Sequence, residues 1–439
     1  MNRYLAIDLG ASNGRHIVGW MENGEIKTQV VYGFENGVKR TDEGLVWDVE
    51  SIFENVLIGI KKAVQEFSDI RSLSIDTWGV DYVLFKGDEE IKPCFAYRDE
   101  RTLKTVPLVH EIIPFEELYE KTGIQFNSFN TVYQLYDEKL KGRLDGVTDF
   151  LSIPEYLSYR LTGVKKKEYT FGTTTGLVNA YTKQFDLTIT DKLGFPREIF
   201  ANLCQPGEVY GGFTKEVKDF VGKDIKVVMC ASHDTASAVE GIPVDNLDAP
   251  YISSGTWSLL GVKESTPHTD EVSLKNEYSN EGGVGYIRYQ KNTMGMWMVQ
   301  TLRKELCPDK NYSDIATDAK KSEFDIVVDA NDGLFFSPKS MKEAFDQYLS
   351  DRGMPLPQEQ DDYFKCAYVS IAHGYKKAIK ELENCTGKTY DKIYIVGGGA
   401  KNEYLNALTQ MICNVKVCAY PIEATALGNL KIQMECDKQ

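Results

Sequence analysis

The chain has 439 residues, 42% hydrophobic and 26% charged, with a formal net charge of −15. That length exceeds one comfortable hydrophobic core, so two domains are expected. The acidic balance argues against a nucleic-acid partner, whose phosphates demand a basic surface, and against docking on an anionic membrane. No apolar run reaches the roughly 18 residues that span a bilayer. The start MNRYLAIDLG carries no secretory core. Nine cysteines stand singly without regular spacing, as reduced thiols of a cytoplasmic protein would.

The first segment, YLAIDLG, is a short apolar run ending in Asp8 and Gly10. After ASNGR come HIVGWM, the pair Asn23-Gly24 and EIKTQVVYGF. Two apolar runs around Asn-Gly predict a hairpin, because both turn residues tolerate positive φ. Phe53, Leu57, Ile60, Val64 and Phe67 then recur at helical spacing. SLSID predicts a strand, followed by a second hairpin, GVDYVLF-KGDEE-IKPC. A hairpin-led sheet joined to helix–strand units is an α/β mixture rather than a plain doubly wound sheet. Residues 103–220 are richer in helix signals and aromatics, and 103–150 carry no matched motif. IKVVM is a buried-strand candidate leading into MCASHDTASAVEG. IPVDNLDAP, 242–250, predicts a linker. Beyond it the pattern restarts with YISSGTWSLLGVK, which predicts domains over 1–242 and 243–439. A long helix, the strand KIYIVGGG, a helix, the strand KVCAY and the helix ATALGNLKIQ close the chain.

Three glycine-containing loops carry candidate chemistry. In Asp8-Leu9-Gly10-Ala11-Ser12-Asn13-Gly14-Arg15, tight turning and clustered N–H groups suit a phosphate. The same residues suit a plain hairpin turn. Asp8 tilts the balance, since a carboxylate beside a phosphate needs a cation between them, pointing to Mg²⁺ held largely through water. Ser253-Ser254-Gly255-Thr256-Trp257-Ser258 repeats that composition in the second half. Val396-Gly397-Gly398-Gly399-Ala400-Lys401-Asn402 follows a strand and precedes a helix, so a large ligand can lie against bare backbone near the helix start.

The His233-Asp234 pair admits several chemistries. No G-x-S-x-G occurs, which removes the usual hydrolase elbow. His16, His110, His268 and His373 lack ligand spacing to it, which weakens a metal site. A structural turn and a general base at Asp234 remain. For the base, the small neighbours Ala231, Ala236 and Ser237 leave room for a γ-phosphate and an acceptor hydroxyl. Asp76-Thr77-Trp78-Gly79-Val80-Asp81 offers a ring, two carboxylates and a hydroxyl to a polyhydroxylated substrate, or else a buried Trp at a hairpin entry. KNTMGMWMVQTLRKEL adds Asn292 and Gln300.

Taken in order, DLGASNGR, IDTWGVD, YRDERT, HDTASAV, SGTWS and VGGG resemble the FGGY carbohydrate kinases across residues 3–432. The resemblance implies two actin-like (ribonuclease-H-like) domains flanking a nucleotide and sugar cleft. It implies ATP and Mg²⁺ as cofactors and a small-molecule ketose as partner. IDTWGVD, HDTASAV and KNTMGMW favour members that phosphorylate the C1 hydroxyl of L-rhamnulose over glycerol, xylulose or gluconate kinases. A kinase of L-fuculose or a ketopentose is the nearer alternative, and an actin-like nucleotide-dependent switch or assembly protein the more distant one. Carried over by motif, Ala11, Ser12, Asn13, Gly14 and Arg15 match one phosphate loop and Thr256 the other. Gln300 and Gly399 match nucleotide contacts. Gly79, His233, Thr235 and Asn292 match sugar contacts, Asp234 the proton acceptor, and Asp8 the carboxylate that organises Mg²⁺.

Overall fold

A computed structural model of the chain describes residues 2–244, 248–420 and 422–438. The expected linker therefore lies partly outside the described residues. Two compact units are present: Met1–Gly241 with Glu264–Tyr289 and Ala424–Gln439, and Ile242–Lys263 with Gln290–Glu423. This differs from a single cut at 242/243, because two stretches of the second half return to the first unit.

In the first unit β1 (Arg3–Leu9), β2 (Asn13–Glu22) and β3 (Glu25–Glu35) form the expected meander. Asn23 and Gly24 at its turn have φ of 52° and 82°, as the paired positive angles of an Asn-Gly hairpin require. With β4 (Ile70–Thr77), β5 (Val209–Gly211) and β6 (Lys226–Val228) they make one sheet, ordered β5-β6-β4-β1-β2-β3. β1, β4 and β6 run parallel. The apolar run of β1 is buried on both faces, because side chains alternate along a strand. Leu5, Ile7 and Leu9 join the core built with the helices α1 (Val49–Glu66), α2 (Ile153–Thr162) and α3 (Lys215–Val221). Tyr4 and Ala6 join Ala426, Leu430 and Met434 of the C-terminal helix Ala424–Cys436 on the other face. The second expected hairpin pairs Tyr82–Lys86 with Glu89–Ile91. The helix-rich stretch after it holds Thr105–Ile112, Phe115–Thr122 and Thr131–Leu140.

The second unit repeats the plan. β7 (Tyr251–Ser254) and β8 (Trp257–Glu264) form an antiparallel hairpin. β10 (Lys392–Val396) and β11 (Lys416–Tyr420) run parallel beside β7. With β9 (Ile287–Met294) the order is β9-β8-β7-β10-β11. Each unit thus carries the hairpin-led, then parallel, order of an actin-like α/β domain, as the motifs imply. Gln360–Thr386 and Glu403–Cys413 are the expected helices on either side of β10 in sequence.

The C-terminal helix returns to the first unit because it packs backbone to backbone on α4 (Asp234–Glu240). A β-carbon built on Gly428 falls 1.8 Å from the Ser237 carbonyl oxygen, and one on Gly241 falls 1.9 Å from that of Ala424. Gly428→Ala is therefore expected to destabilise the protein by ~1–3 kcal/mol through overpacking. A urea midpoint equal to the parent's contradicts that close approach.

Candidate active site

In the first unit three aspartates come together at one end of the sheet. β1 and β4 are paired in register with Asp8 beside Asp76, and on the other side Asp8 faces Arg15, whose Nη2 lies 2.7 Å from its Oδ2. Thr77 N–H donates to the Ser232 carbonyl at 2.9 Å, which brings the His233-Asp234 turn to the end of β4. Asp234 is the first residue of α4 and its Oδ1 accepts from the Thr235 N–H at 2.6 Å.

Two of the three carboxyls, Asp76 and Asp234, feel the charge of their neighbours. Asp76 is wholly buried. Desolvation first, and then the charges of Asp8 and Asp234, hold it well above the usual carboxylate range, against a hydrogen bond from Asn429. That Asn429 Nδ2 donates to Asp76 Oδ2 at 2.6 Å, while Asp76 Oδ1 is buried with no hydrogen-bond partner. Asp234 is also pushed upward, by desolvation first and by the charge of Asp8 after it. Its side chain nevertheless remains 31% exposed, so it is deep yet reachable.

The first loop closes with Gly10 N–H donating to the Asn13 carbonyl at 2.8 Å. Ser12 and Asn13 are exposed and Ala11 half-buried. Gly14 has a packing role: a β-carbon there falls 2.4 Å from the Phe34 ring. The small residues after Asp234 are explained the same way. Ala231 and Ala236 lie in a buried cluster with Ile432 of the C-terminal helix, and Ser237 Oγ donates to the Ala231 carbonyl at 2.7 Å. Their size makes room for that helix, a packing role that the sequence reading did not include.

Gly79 sits against the pair. A β-carbon on it falls 3.2 Å from His233 Nε2 and 3.3 Å from Thr174 Cγ2. Val80 beside it has φ of 68°, and Asp81 N–H donates to the Gly79 carbonyl at 3.0 Å. This is a γ-turn at a β-branched residue, a rare and strained conformation. Val80 N–H donating to Thr174 Oγ1 (3.2 Å) and its carbonyl accepting from Thr131 Oγ1 (2.7 Å) hold it in place. The rest of IDTWGVD is structural. Trp78 belongs to the core. Asp81 Oδ2 accepts from the indoles of Trp47 (2.6 Å) and Trp78 (2.9 Å) and from Tyr97 N–H (3.2 Å), and its Oδ1 accepts from Gln134 (3.2 Å). Both are buried, as in the alternative of a buried Trp at a hairpin entry.

His233 and Thr235 sit in a network that the sequence motifs did not include. His233 Nδ1 lies 3.1 Å from Glu281 Oε2, and the fully buried Arg288 donates to Thr235 Oγ1 at 2.8 Å and to Glu281 at 2.9 Å. Glu168, buried behind the turn, accepts from Ser232 Oγ at 2.5 Å and Thr170 N–H at 2.6 Å. Glu281 and Arg288 lie about 50 residues from the turn they brace, and no local spacing links them to it.

In the second unit Thr256 Oγ1 donates to Gln300 Oε1 at 3.2 Å. A cavity of about 1140 Å³ is lined by Gly255, Gln300, Gly398 and Gly399, with Tyr312, Ala316, Leu408 and Met411 among its walls and Lys320, Lys365 and Lys401 at hand. It can hold a flat apolar ring and a negative charge together. The three glycines divide their work. β-Carbons on Gly397 and Gly399 fall 2.9 Å and 2.0 Å from Ser254 atoms, whereas one on Gly398 meets nothing within 4 Å. Asn292 is exposed on β9 in this unit. Among the described residues no group of three or more His, Cys, Asp or Glu forms a ready metal cage.

The N-terminal domain of the FGGY family of carbohydrate kinases matches residues 3–241, and its C-terminal domain matches residues 250–435. A rhamnulokinase of Oceanobacillus iheyensis is 39% identical over 434 residues, covering 98% of this chain and 92% of the relative. A rhamnulokinase of Halalkalibacterium halodurans is 40% identical over 439 residues, covering 99% and 93%. The crystal structure of gluconate kinase from Lactobacillus acidophilus superposes with a TM-score of 0.83 at 17% identity, covering 100% of this chain and 89% of that one.

Asp81 supplies a spectroscopic check on the geometry around Gly79. Burial lifts its carboxyl to about 6, against the hydrogen bonds from Trp47 and Trp78. A carboxyl raised above its unfolded value contributes stability that is full below about pH 4 and is lost as pH rises through about 6. Tryptophan emission is expected to titrate with a midpoint near pH 6, and Asp81→Asn to abolish that step; a flat profile in the parent contradicts the assignment.

Proposed function

The chain belongs to the FGGY family of carbohydrate kinases, and we propose that within it this protein transfers the γ-phosphate of ATP to the C1 hydroxyl of L-rhamnulose, yielding L-rhamnulose 1-phosphate and ADP. The observation that carries the reading is Asp234, a carboxyl pushed upward yet open to solvent, grouped with Gly79, His233 and Thr235. Rhamnulokinases at 39% and 40% identity along nearly the whole chain support the sugar.

In this reading Asp234 is the general base. As the C1 oxygen bonds to the γ-phosphorus, its proton passes to Asp234 and the bond from γ-phosphorus to the bridging oxygen breaks, releasing ADP. The upward push makes Asp234 a stronger base than a free aspartate, which suits proton transfer near neutral pH. Ala11, Ser12, Asn13, Gly14 and Arg15 form the phosphate loop of the first unit, and Thr256 belongs to the phosphate loop of the second. In the second unit Gln300 and Gly399 line the cavity that takes the nucleoside. Phosphoryl transfer otherwise asks for positioning and charge neutralisation.

The acidic group fits a divalent cation. Asp8 and Asp234 raise the charging cost of Asp76, Asp8 raises that of Asp234, and Asp76 Oδ1 has no hydrogen-bond partner. Asp8 would organise Mg²⁺ largely through water, a habit of that ion. When bound, the ion neutralises charge on the transferring phosphate. The nine free cysteines support a reducing, cytoplasmic location.

Asp234→Asn is expected to lower turnover by ~10²–10⁴-fold, the usual worth of a general base, while ATP affinity stays within about twofold by calorimetry. Near-normal turnover in that variant overturns the role. In a coupled ADP assay over a ketose panel, L-rhamnulose is expected to exceed L-fuculose and the ketopentoses in kcat/KM by ~10-fold or more. ADP release that ignores the sugar added would instead mark a nucleotide-dependent switch.

A further inference from the structure

We propose that Glu281 and Arg288 are positioning residues that keep the proton of His233 on Nδ1, leaving Nε2 as an acceptor for a second ketose hydroxyl beside the one that Asp234 deprotonates. The inference rests on the kinase reading above for its ligand, but on the ligand-free geometry for its argument. Nδ1 has three polar neighbours: Glu281 Oε2 at 3.1 Å, Thr235 Oγ1 at 3.2 Å and Arg288 Nη2 at 3.4 Å. A guanidinium only donates and a carboxylate only accepts. Arg288 commits Nη2 to Glu281 at 2.9 Å, Nη1 to Thr235 Oγ1 at 2.8 Å and Nε to the Gly282 carbonyl at 2.8 Å. At its shortest contact a bare Nδ1 would oppose a carboxylate lone pair and keep only the longer approaches of Thr235 and Arg288, in a site where Arg288 is fully buried and His233 is 13% exposed, a costly arrangement away from water. A proton on Nδ1 turns that opposition into a charge-assisted hydrogen bond.

The consequence falls on the opposite edge of the ring. Nε2 lies 3.4 Å from Thr235 Oγ1 and 3.5 Å from Asp234 Oδ1, and a β-carbon on Gly79 would stand 3.2 Å from it, so the missing side chain leaves that approach open. Two acceptors side by side, Nε2 and the Asp234 carboxylate, repel each other until a ligand brings two O–H donors between them. A polyol does so.

The chain holds five histidines, so the ¹⁵N–¹H correlation spectrum of histidine-labelled, ligand-free protein at pH 8 is tractable, with the His233 signals identified by their loss in His233→Gln. The expected wild-type pattern is a neutral ring protonated on Nδ1. Glu281→Leu is expected to move the proton to Nε2 and raise the KM for L-rhamnulose ~10-fold, the worth of one lost hydrogen bond. The KM for ATP should stay within about twofold. Glu281→Gln, whose amide oxygen still accepts from Nδ1, is expected to restore both the pattern and the KM. A wild-type ring protonated on Nε2 or on both nitrogens overturns the proposal, and so does a Glu281→Leu variant with the parental tautomer and KM. Should Glu281→Leu fail to fold, the wild-type spectrum and the Glu281→Gln variant decide. A protein with the Nδ1–H pattern that phosphorylates no ketose overturns the kinase reading and leaves the tautomer assignment standing.

Discussion

The hydrogen bond from Asn429 to Asp76, 2.6 Å long and fully buried, is the contact on which the first unit depends. It lies at the floor of the acidic end of the sheet, where Asp76 is wedged between the charges of Asp8 and Asp234. Without a donor beneath it, that carboxyl would be a buried polar group satisfied on neither oxygen, an expensive state in a low-dielectric interior. The donor comes from the far end of the chain. Asn429 is backed by Gln433, which donates to the Asn429 side chain at 2.7 Å and to the Leu5 carbonyl at 3.0 Å and accepts from Ser72 Oγ at 2.7 Å. A short polar ladder thus runs down one side of the C-terminal helix into the sheet.

That ladder needs close contact, and the glycines supply it. With Gly428 and Gly241 the C-terminal helix and α4 touch at the backbone, so the helix that begins at Asp234 and the helix that carries Asn429 form one rigid pair. The position of the candidate base and the floor beneath Asp76 are therefore fixed by a single packing event. The same event accounts for the small residues around His233-Asp234.

Much of the architecture is legible in the sequence because it rests on local rules. The Asn23-Gly24 hairpin, the strand pattern of both halves and the helix after Val49 follow from turn chemistry and periodicity. The residues around His233 and the loops at Ala11–Arg15 and Thr256 are legible as ordered motifs. What escapes is non-local. ATALGNLKIQ reads as an ordinary last helix of the second half, yet it belongs to the first unit. It is buried nearly all round, with Asn429 and Gln433 inside, so no apolar stripe announces which sheet it serves. Glu281 and Arg288 escape for the same reason. Their work depends on a hydrogen-bond geometry that only the folded chain creates.

The buried carboxylates also show why a motif's acidic residues do not share one role. Asp81 and Glu168 are both sealed and surrounded by donors: four reach Asp81, and the Thr170, Phe171 and Ser232 groups converge on Glu168. A carboxylate so enclosed is out of a ligand's reach, so its function is to hold neighbouring side chains and backbone in place. Asp234 lies only two residues from the Glu168 anchor at Ser232, yet keeps 31% of its side chain in solvent. Charge alone does not separate these aspartates and glutamates, and neither does proximity to the turn. The number of donors already spent on each carboxylate does: the saturated ones build the platform, and the under-committed one standing at its edge is left to do chemistry.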